Sequence, residues 1–430
     1  MKLNPAEICV KLYLLALYTT GTISAITESW TITILLILSA IAAISISNNY
    51  NKHPNIRPIT LSWVIITSVC LVGSLRGVVD ALVYFYILCA FFMLFSCRIS
   101  GTTMFKSLKV LRFFGLFFAI GCYWQYLFPN QYYTFLYPHF GSFYQQSIAR
   151  QFTYHKMCTG FTSQTTIAAI FIVLGIMAEI YYYKQAKRSP LIGFLEILFL
   201  FGGLLLTGKR SPLLTLVTSF AFVSLLMVKK KERGRQLMRI VSLVCIISLM
   251  VIIAAPYFIN AESRSSITRL LEFNMDGANT YTQEDGDFSN GRLFLYMASI
   301  SEFLDKPLFG IGWGVFSEKY DITGVHNIYL QLLCECGVIG AIIVISSLFL
   351  ILSSSIRLLK QVKSRQNNTS VILLKCSVFI QTYVLGYGLF DNPIYDQTYL
   401  LTYFYALLLV VGSNVKENNL QDRLSYETRN

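Results

Sequence analysis

Cys336-Gly337-Val338-Ile339-Gly340-Ala341-Ile342-Ile343-Val344-Ile345-Ser346-Ser347-Leu348-Phe349-Leu350-Ile351-Leu352 lies inside a run of 21 uncharged residues, 336–356. At about 1.5 Å per residue a helix of that length covers about 30 Å, the thickness of a bilayer's hydrocarbon core. Runs of this kind recur along the whole chain. Apolar blocks fall at roughly 8–27, 30–47, 59–75, 78–97, 108–128, 165–183, 191–207, 212–228, 240–257, 328–354, 371–390 and 398–414. The two-residue alternation of a membrane barrel is missing, so each block must close its own backbone hydrogen bonds as a helix. The expected fold is an all-α integral membrane protein of about 12 transmembrane helices, with a large, partly helical loop between spans nine and ten.

Composition excludes the soluble alternatives. Hydrophobic residues make up 55% of the 430 and charged residues 13%, against about a quarter charged in a soluble protein. Mean hydropathy is +0.56. The net charge of +13 does not read as a nucleic-acid surface, because the basic residues sit in short clusters between apolar blocks, where they set orientation. Of the 10 cysteines only Cys158 falls in a long polar stretch. No Cys/His spacing suits zinc, and no P-loop or dinucleotide motif is present, so neither a cofactor nor a metal is expected.

The chain divides accordingly. Residues 1–128 carry spans one to five, 129–164 a first long loop, and 165–257 spans six to nine. Residues 258–327 form the large loop, 328–414 spans ten to twelve, and 415–430 a tail. Alternate connections hold 25 of the 35 basic residues, counting the termini and nearby span ends. The positive-inside rule makes that side cytoplasmic, with both termini on it, and both long loops external. The first block is expected to be a retained span rather than a cleaved leader. Within the large loop, Leu293, Tyr296, Met297, Ile300, Phe303 and Leu304 recur at helical spacing. The pattern predicts an amphipathic helix over 289–305, started by Ser289 or Asn290 and ended by Lys306-Pro307, on the membrane surface or over a cavity.

The outward basic residues were not needed for orientation. Arg210 stands in the tight connection Thr207-Gly208-Lys209-Arg210-Ser211-Pro212. It either snorkels to the interface or meets an anion. Arg264, Arg269 and Arg292 lie in the large loop, where they either balance acids such as Glu262 and Glu272 or hold phosphate oxygens, which guanidinium forks suit. Arg292 opens the amphipathic helix, beside its free N–H groups. Arg76 and Arg150 are also outward, and Arg150 is the better candidate because it belongs to a long loop.

Of the 4 histidines, His326 has the richest setting. Gly310-Ile311-Gly312-Trp313-Gly314 precedes it and Asn327-Ile328-Tyr329-Leu330-Gln331 follows. The glycines permit a tight turn, and Asn327 is placed to orient the imidazole. Glu335, nine positions on, falls on the opposite helix face and is not paired with it. Asp391 and Asp396, in the last outward connection, read as cap or turn residues.

Lys306-Pro307-Leu308-Phe309-Gly310-Ile311-Gly312-Trp313-Gly314, the His326-Asn327-Ile328-Tyr329-Leu330-Gln331 run and Gly337-Val338-Ile339-Gly340 together resemble the signature of bacterial O-antigen polymerases and O-antigen ligases. Thr207 to Ser211 resembles the family's outward arginine element. Asn290-Gly291-Arg292 with Tyr296 resembles its arginine-bearing loop helix. Cys158-Thr159-Gly160-Phe161 resembles a further element but lacks the family's asparagine.

The resemblance implies a membrane glycosyltransferase without a cofactor, in the bacterial inner membrane, with its active site facing the periplasm. The donor and the acceptor would both be glycans linked to undecaprenyl diphosphate. Further partners would be membrane lipid and a chain-length regulator, with no nucleic acid. It implies catalytic roles for His326, Arg210 and Arg292, and substrate binding by Arg150, Arg269, Asn327 and Tyr329. His326 is expected either to accept the acceptor's proton or to bind phosphate. Polymerisation of lipid-linked repeat units into O-antigen or capsule-type polysaccharide is the first expectation. Ligation to lipid A-core is the second. A lipid-linked oligosaccharide flippase is the alternative from another class, and a chain-length scaffold ranks below it.

Overall fold

The computed structural model describes residues 5–19, 21–22, 99–183, 189–239, 241–242, 292–320, 324–364 and 368–413, with isolated positions 59, 62, 65 and 66. All regular structure among them is helical. The expected blocks at 30–47, 59–75, 78–97 and 240–257 lie outside the described residues, apart from a few positions. The other eight each coincide with a helix. In chain order these are α1 (Pro5–Thr19), α2 (Gly101–Leu127), α5 (Thr165–Tyr183), α6 (Pro190–Leu206), α7 (Arg210–Met227), α10 (Ile328–Ser364), α11 (Asn368–Tyr387) and α12 (Gln397–Gly412). Among the described residues, 4 helices are long and apolar enough to cross a membrane: α5, α7, α10 and α11.

The first long loop is not open chain. It contains α3 (Pro129–Phe135) and α4 (Ser142–His155). Pro129 opens α3 where a missing N–H costs nothing. The ring of Tyr132 is fully buried and its hydroxyl donates to Gly160 O at 2.8 Å, which folds the connection back on itself. The large loop holds α8 (Arg292–Asp305), which stops before Lys306-Pro307 as its sequence indicates. The short α9 (Val315–Tyr320) follows it. Ser289 and Asn290 fall outside the described residues.

Helix α12 is the centre of the bundle. Every residue from Thr398 to Gly412 is buried, and apolar side chains all round the helix allow it to be enclosed on all sides. Asp396 caps it, accepting from Thr398 N at 2.8 Å and Tyr399 N at 3.2 Å. Beside it, α2 and α5 cross at Gly115 and Gly175. A Cβ on Gly115 would lie 2.5 Å from Gly175 Cα, so the two backbones touch, as small residues allow between helices in lipid. Arg112 of α2 forms ion pairs with Glu179 of α5 and Glu196 of α6, and its Nε donates to Glu196 at 2.9 Å. Arg112 lies within the apolar block 108–128 rather than between blocks. It ties three helices together.

Candidate active site

The site is built around a break in α10. Gly337 has φ 65° and ψ −177°, and the helix kinks there. A break leaves carbonyls without partners before it and N–H groups without partners after it. The segment 307–312, a strap across the break, supplies both. Ile311 N donates to Cys334 O and Gly312 N to Glu335 O, each at 3.0 Å, while Val338 N donates to Pro307 O at 2.8 Å and Ile339 N to Leu308 O at 3.4 Å. The approach is so close that a Cβ on Gly337 would lie 2.4 Å from Leu308 C and O. This explains why the glycines at 310–314 and Gly337 belong together, although 23 positions separate Gly314 from Gly337.

Glu335 fixes the next part of the strap. It is fully buried. Its carboxylate accepts Gly314 N at 2.9 Å, Phe316 N at 3.3 Å and Gln331 Nε2 at 3.3 Å. It does not meet His326, in agreement with the helix-face argument. The turn it holds buries Trp313, whose ring stacks on Tyr395 at 4.3 Å.

His326 ends the segment that leads into α10. Its φ of 56° is left-handed, a conformation that disfavours residues with a Cβ and persists where surrounding contacts impose it. Those contacts are visible on both sides. Ile328 N donates to Gly388 O at 2.9 Å, fastening the start of α10 to the end of α11. Across that junction His326 Nδ1 lies 3.1 Å from Asp391 Oδ1. Asp391 also accepts the Tyr387 hydroxyl and the Asn392 N–H, each at 3.0 Å. Burial pushes the Asp391 carboxyl up, but the hydrogen bond and charge of His326, helped by Asn392 N and Tyr387, outweigh it and hold it below its ordinary range. The carboxylate therefore stays ionised and favours a proton on Nδ1. In neutral imidazole that leaves Nε2 as the bare nitrogen. About a third of the His326 side chain is open to the outside (32%).

Asp391 thus has a larger part than the turn role its sequence suggested, and Asn327 does not orient the imidazole. Asn327 Oδ1 instead accepts Tyr329 N at 3.0 Å and Leu330 N at 3.2 Å, capping α10. The Tyr329 hydroxyl donates to Leu385 O at 2.8 Å. Beneath them an apolar cavity is lined by Trp313, Ile328, Tyr329, Leu332, Val384 and Leu385, among others.

The helices that carry the arginines reach this end of the bundle from two directions. Tyr296 of α8 donates to His326 O at the long distance of 3.5 Å, and Arg292 stands one turn earlier on the same helix face. Helix α8 is tethered to α9 by Glu302, which pairs with Lys319 and accepts the Tyr320 hydroxyl at 2.8 Å. The Lys319 ammonium, helped by Tyr320, holds the Glu302 carboxyl below its ordinary value against partial burial.

Arg210 is exposed at the first turn of α7. Helix α7 packs along α11, where a Cβ on Gly386 would meet Thr215 Cγ2 at 3.6 Å. Thr215 is five residues into α7 and Gly386 is five before Asp391, so Arg210 and the His326–Asp391 pair share one end of the bundle. Arg150, exposed on α4, belongs to the element whose continuation docks on the α6–α7 turn through Cys158 N to Leu206 O at 2.9 Å. Arg269 lies outside the described residues. The site therefore offers an oriented imidazole, cationic helix starts and an apolar hollow below them.

Residues 195–345 match the model of a family described as O-antigen ligase. The matched stretch contains Arg210, Arg292 and His326, while Asp391 lies beyond it. No curated protein matches the sequence.

Proposed function

We propose that this chain, whose residues 195–345 match the model of an O-antigen ligase family, is a glycosyltransferase of the O-antigen polymerase and ligase kind that polymerises lipid-linked oligosaccharide repeat units. The observation that carries the reading is the His326–Asp391 pair, left-handed at His326 and approached by the arginine-bearing helix α8. The donor is a glycan on undecaprenyl diphosphate and the acceptor is a second lipid-linked repeat. An acceptor hydroxyl attacks the anomeric carbon. The bond from that carbon to the diphosphate oxygen breaks, and the hydroxyl proton passes to His326 Nε2. Asp391 keeps the ring oriented and stabilises the imidazolium that forms. Arg210 and Arg292 take the negative charge that develops on the departing diphosphate, the charge that most needs a fixed electrostatic partner. Arg150 and Arg269 extend the anion path.

About 12 spans, cytoplasmic termini and a site facing the periplasm of the inner membrane belong to the same proposal, supported by the 25-to-10 division of basic residues. A ligase that transfers the glycan to lipid A-core shares every residue named above. The family match supports either reaction and gives no support to a flippase. Purified protein in detergent, given only lipid-linked repeat units, separates the two. A ladder of lengthened products is the polymerase result. Products that appear only when lipid A-core is added make the chain a ligase.

A further inference from the structure

Helix α8 is amphipathic in the opposite sense to a helix packed on a soluble core. Its buried residues are polar: Ser299 and Glu302. Leu293, Met297, Ile300 and Leu304 are between 45% and 68% exposed. At 100° per residue these four fall within about 60° of one another, and Phe294 widens the stripe. The stripe does not end with the helix. Leu308 and Phe309 of the strap are exposed as well, and Leu308 O is bonded to Ile339 N of α10. Ile339 and Ile342 are exposed on that span. One apolar surface therefore runs from α8 through the strap onto the outer flank of a helix long and apolar enough to cross a membrane.

We propose that α8 is seated in the interfacial layer of the bilayer, its apolar stripe immersed among lipid acyl chains. Continuity decides the occupant. The flank of α10 at Ile339 and Ile342 faces lipid if α10 spans, and α8 is sewn to that flank by the hydrogen bonds of 307–312. Water is a poor alternative, because a contiguous apolar patch of this kind is seldom left wet. The flank of α8 next to the stripe carries Arg292 and Tyr296, whose hydroxyl reaches His326 O, so immersion sets Arg292 at the depth of lipid phosphate groups. This inference does not depend on which reaction the site performs.

The test uses the full-length protein reconstituted into vesicles of phosphatidylethanolamine and phosphatidylglycerol. Leu293→Cys, Met297→Cys, Ile300→Cys and Leu304→Cys are each labelled with an environment-sensitive fluorophore, with Glu318→Cys, at an exposed position of α9, for comparison and unsubstituted protein as the labelling blank. Two quenchers are applied: aqueous iodide, and lipid carrying a spin label on its acyl chain. Strong quenching by spin-labelled lipid at the four α8 positions, and by iodide at Glu318→Cys, is the expected result. Iodide quenching at the α8 positions without lipid quenching overturns the proposal, because the stripe then faces water. Shielding from both quenchers also overturns it, since another part of this chain or a second copy then covers the stripe. With four positions, one poorly folding variant leaves three to decide.

Discussion

His326 and Asp391, 65 residues apart, meet at 3.1 Å, and the same carboxylate takes the Tyr387 hydroxyl on its other oxygen at 3.0 Å. One acid thus joins the segment entering α10 to the end of α11 and favours Nε2 as the imidazole nitrogen left bare. Asp391→Asn keeps the shape and removes the charge that favours Nδ1–H. Turnover of lipid-linked repeats is expected to fall on the order of 10²-fold or more, with donor binding little changed. An unaltered rate would remove Asp391 from the mechanism.

The same pair predicts an acid dependence of stability. Asp391 is held below its ordinary value in the folded protein, against about 3.9 in an unfolded chain. Its contribution is therefore fully present above about pH 4 and is lost as pH falls through the folded value. Thermal unfolding of wild type and Asp391→Asn in detergent should differ most near neutrality. The difference should close at the acid end. A gap that widens with acidity contradicts this account.

His326 allows function and conformation to be separated. At φ 56° a glycine relieves strain on the order of 1 kcal/mol. His326→Gly should match or exceed His326→Ala in thermal stability, while both lose turnover on the order of 10²–10⁴-fold. Retained donor binding in the two variants makes the imidazole a base. Lost binding makes it a phosphate ligand.

Arg210→Ala and Arg292→Ala are each expected to abolish product formation with normal protein levels in the membrane. Lysine at either position should rescue only partly, because a point charge does not reproduce the guanidinium fork. Full activity in both alanine variants ends the diphosphate-clamp idea. Disappearance of the protein assigns the arginines to structure.

Gly337→Ala places a Cβ 2.4 Å from Leu308 C and O, at a φ of +65°. The φ strain alone costs about 1–3 kcal/mol, and the overlap adds to it by pushing the strap off the kink. Gly234→Ala, with nothing within 4 Å, should leave the melting temperature nearly unchanged. Equal behaviour of the two variants would mean the strap is not packed as described.

The parts of this fold that sequence revealed are those set by local composition. Apolar runs marked α5, α7, α10 and α11, and Lys306-Pro307 marked the end of α8 because proline cannot continue a helix. His326 stood out through its glycine and asparagine neighbours. Its partner did not, because Asp391-Asn392-Pro393 also reads as an ordinary turn and helical periodicity names a face without naming what the face meets. The role of Arg112 was hidden for the same reason. Its carboxylates come from two other helices, and no spacing rule connects positions 112, 179 and 196. The kink at Gly337 was hidden by the very apolarity that announced the span.

The seam between 307–312 and the two sides of Gly337 has a consequence for how this chain tolerates change in length. Four backbone hydrogen bonds pair residues of the strap with residues of α10 in a fixed register. One added or deleted residue between Pro307 and Gly312 would shift some of those pairs and leave backbone groups unpartnered where lipid offers no substitute. The strap behaves as a ruler laid against the helix: it fixes how far α8 stands from His326, and its length is held by main-chain geometry.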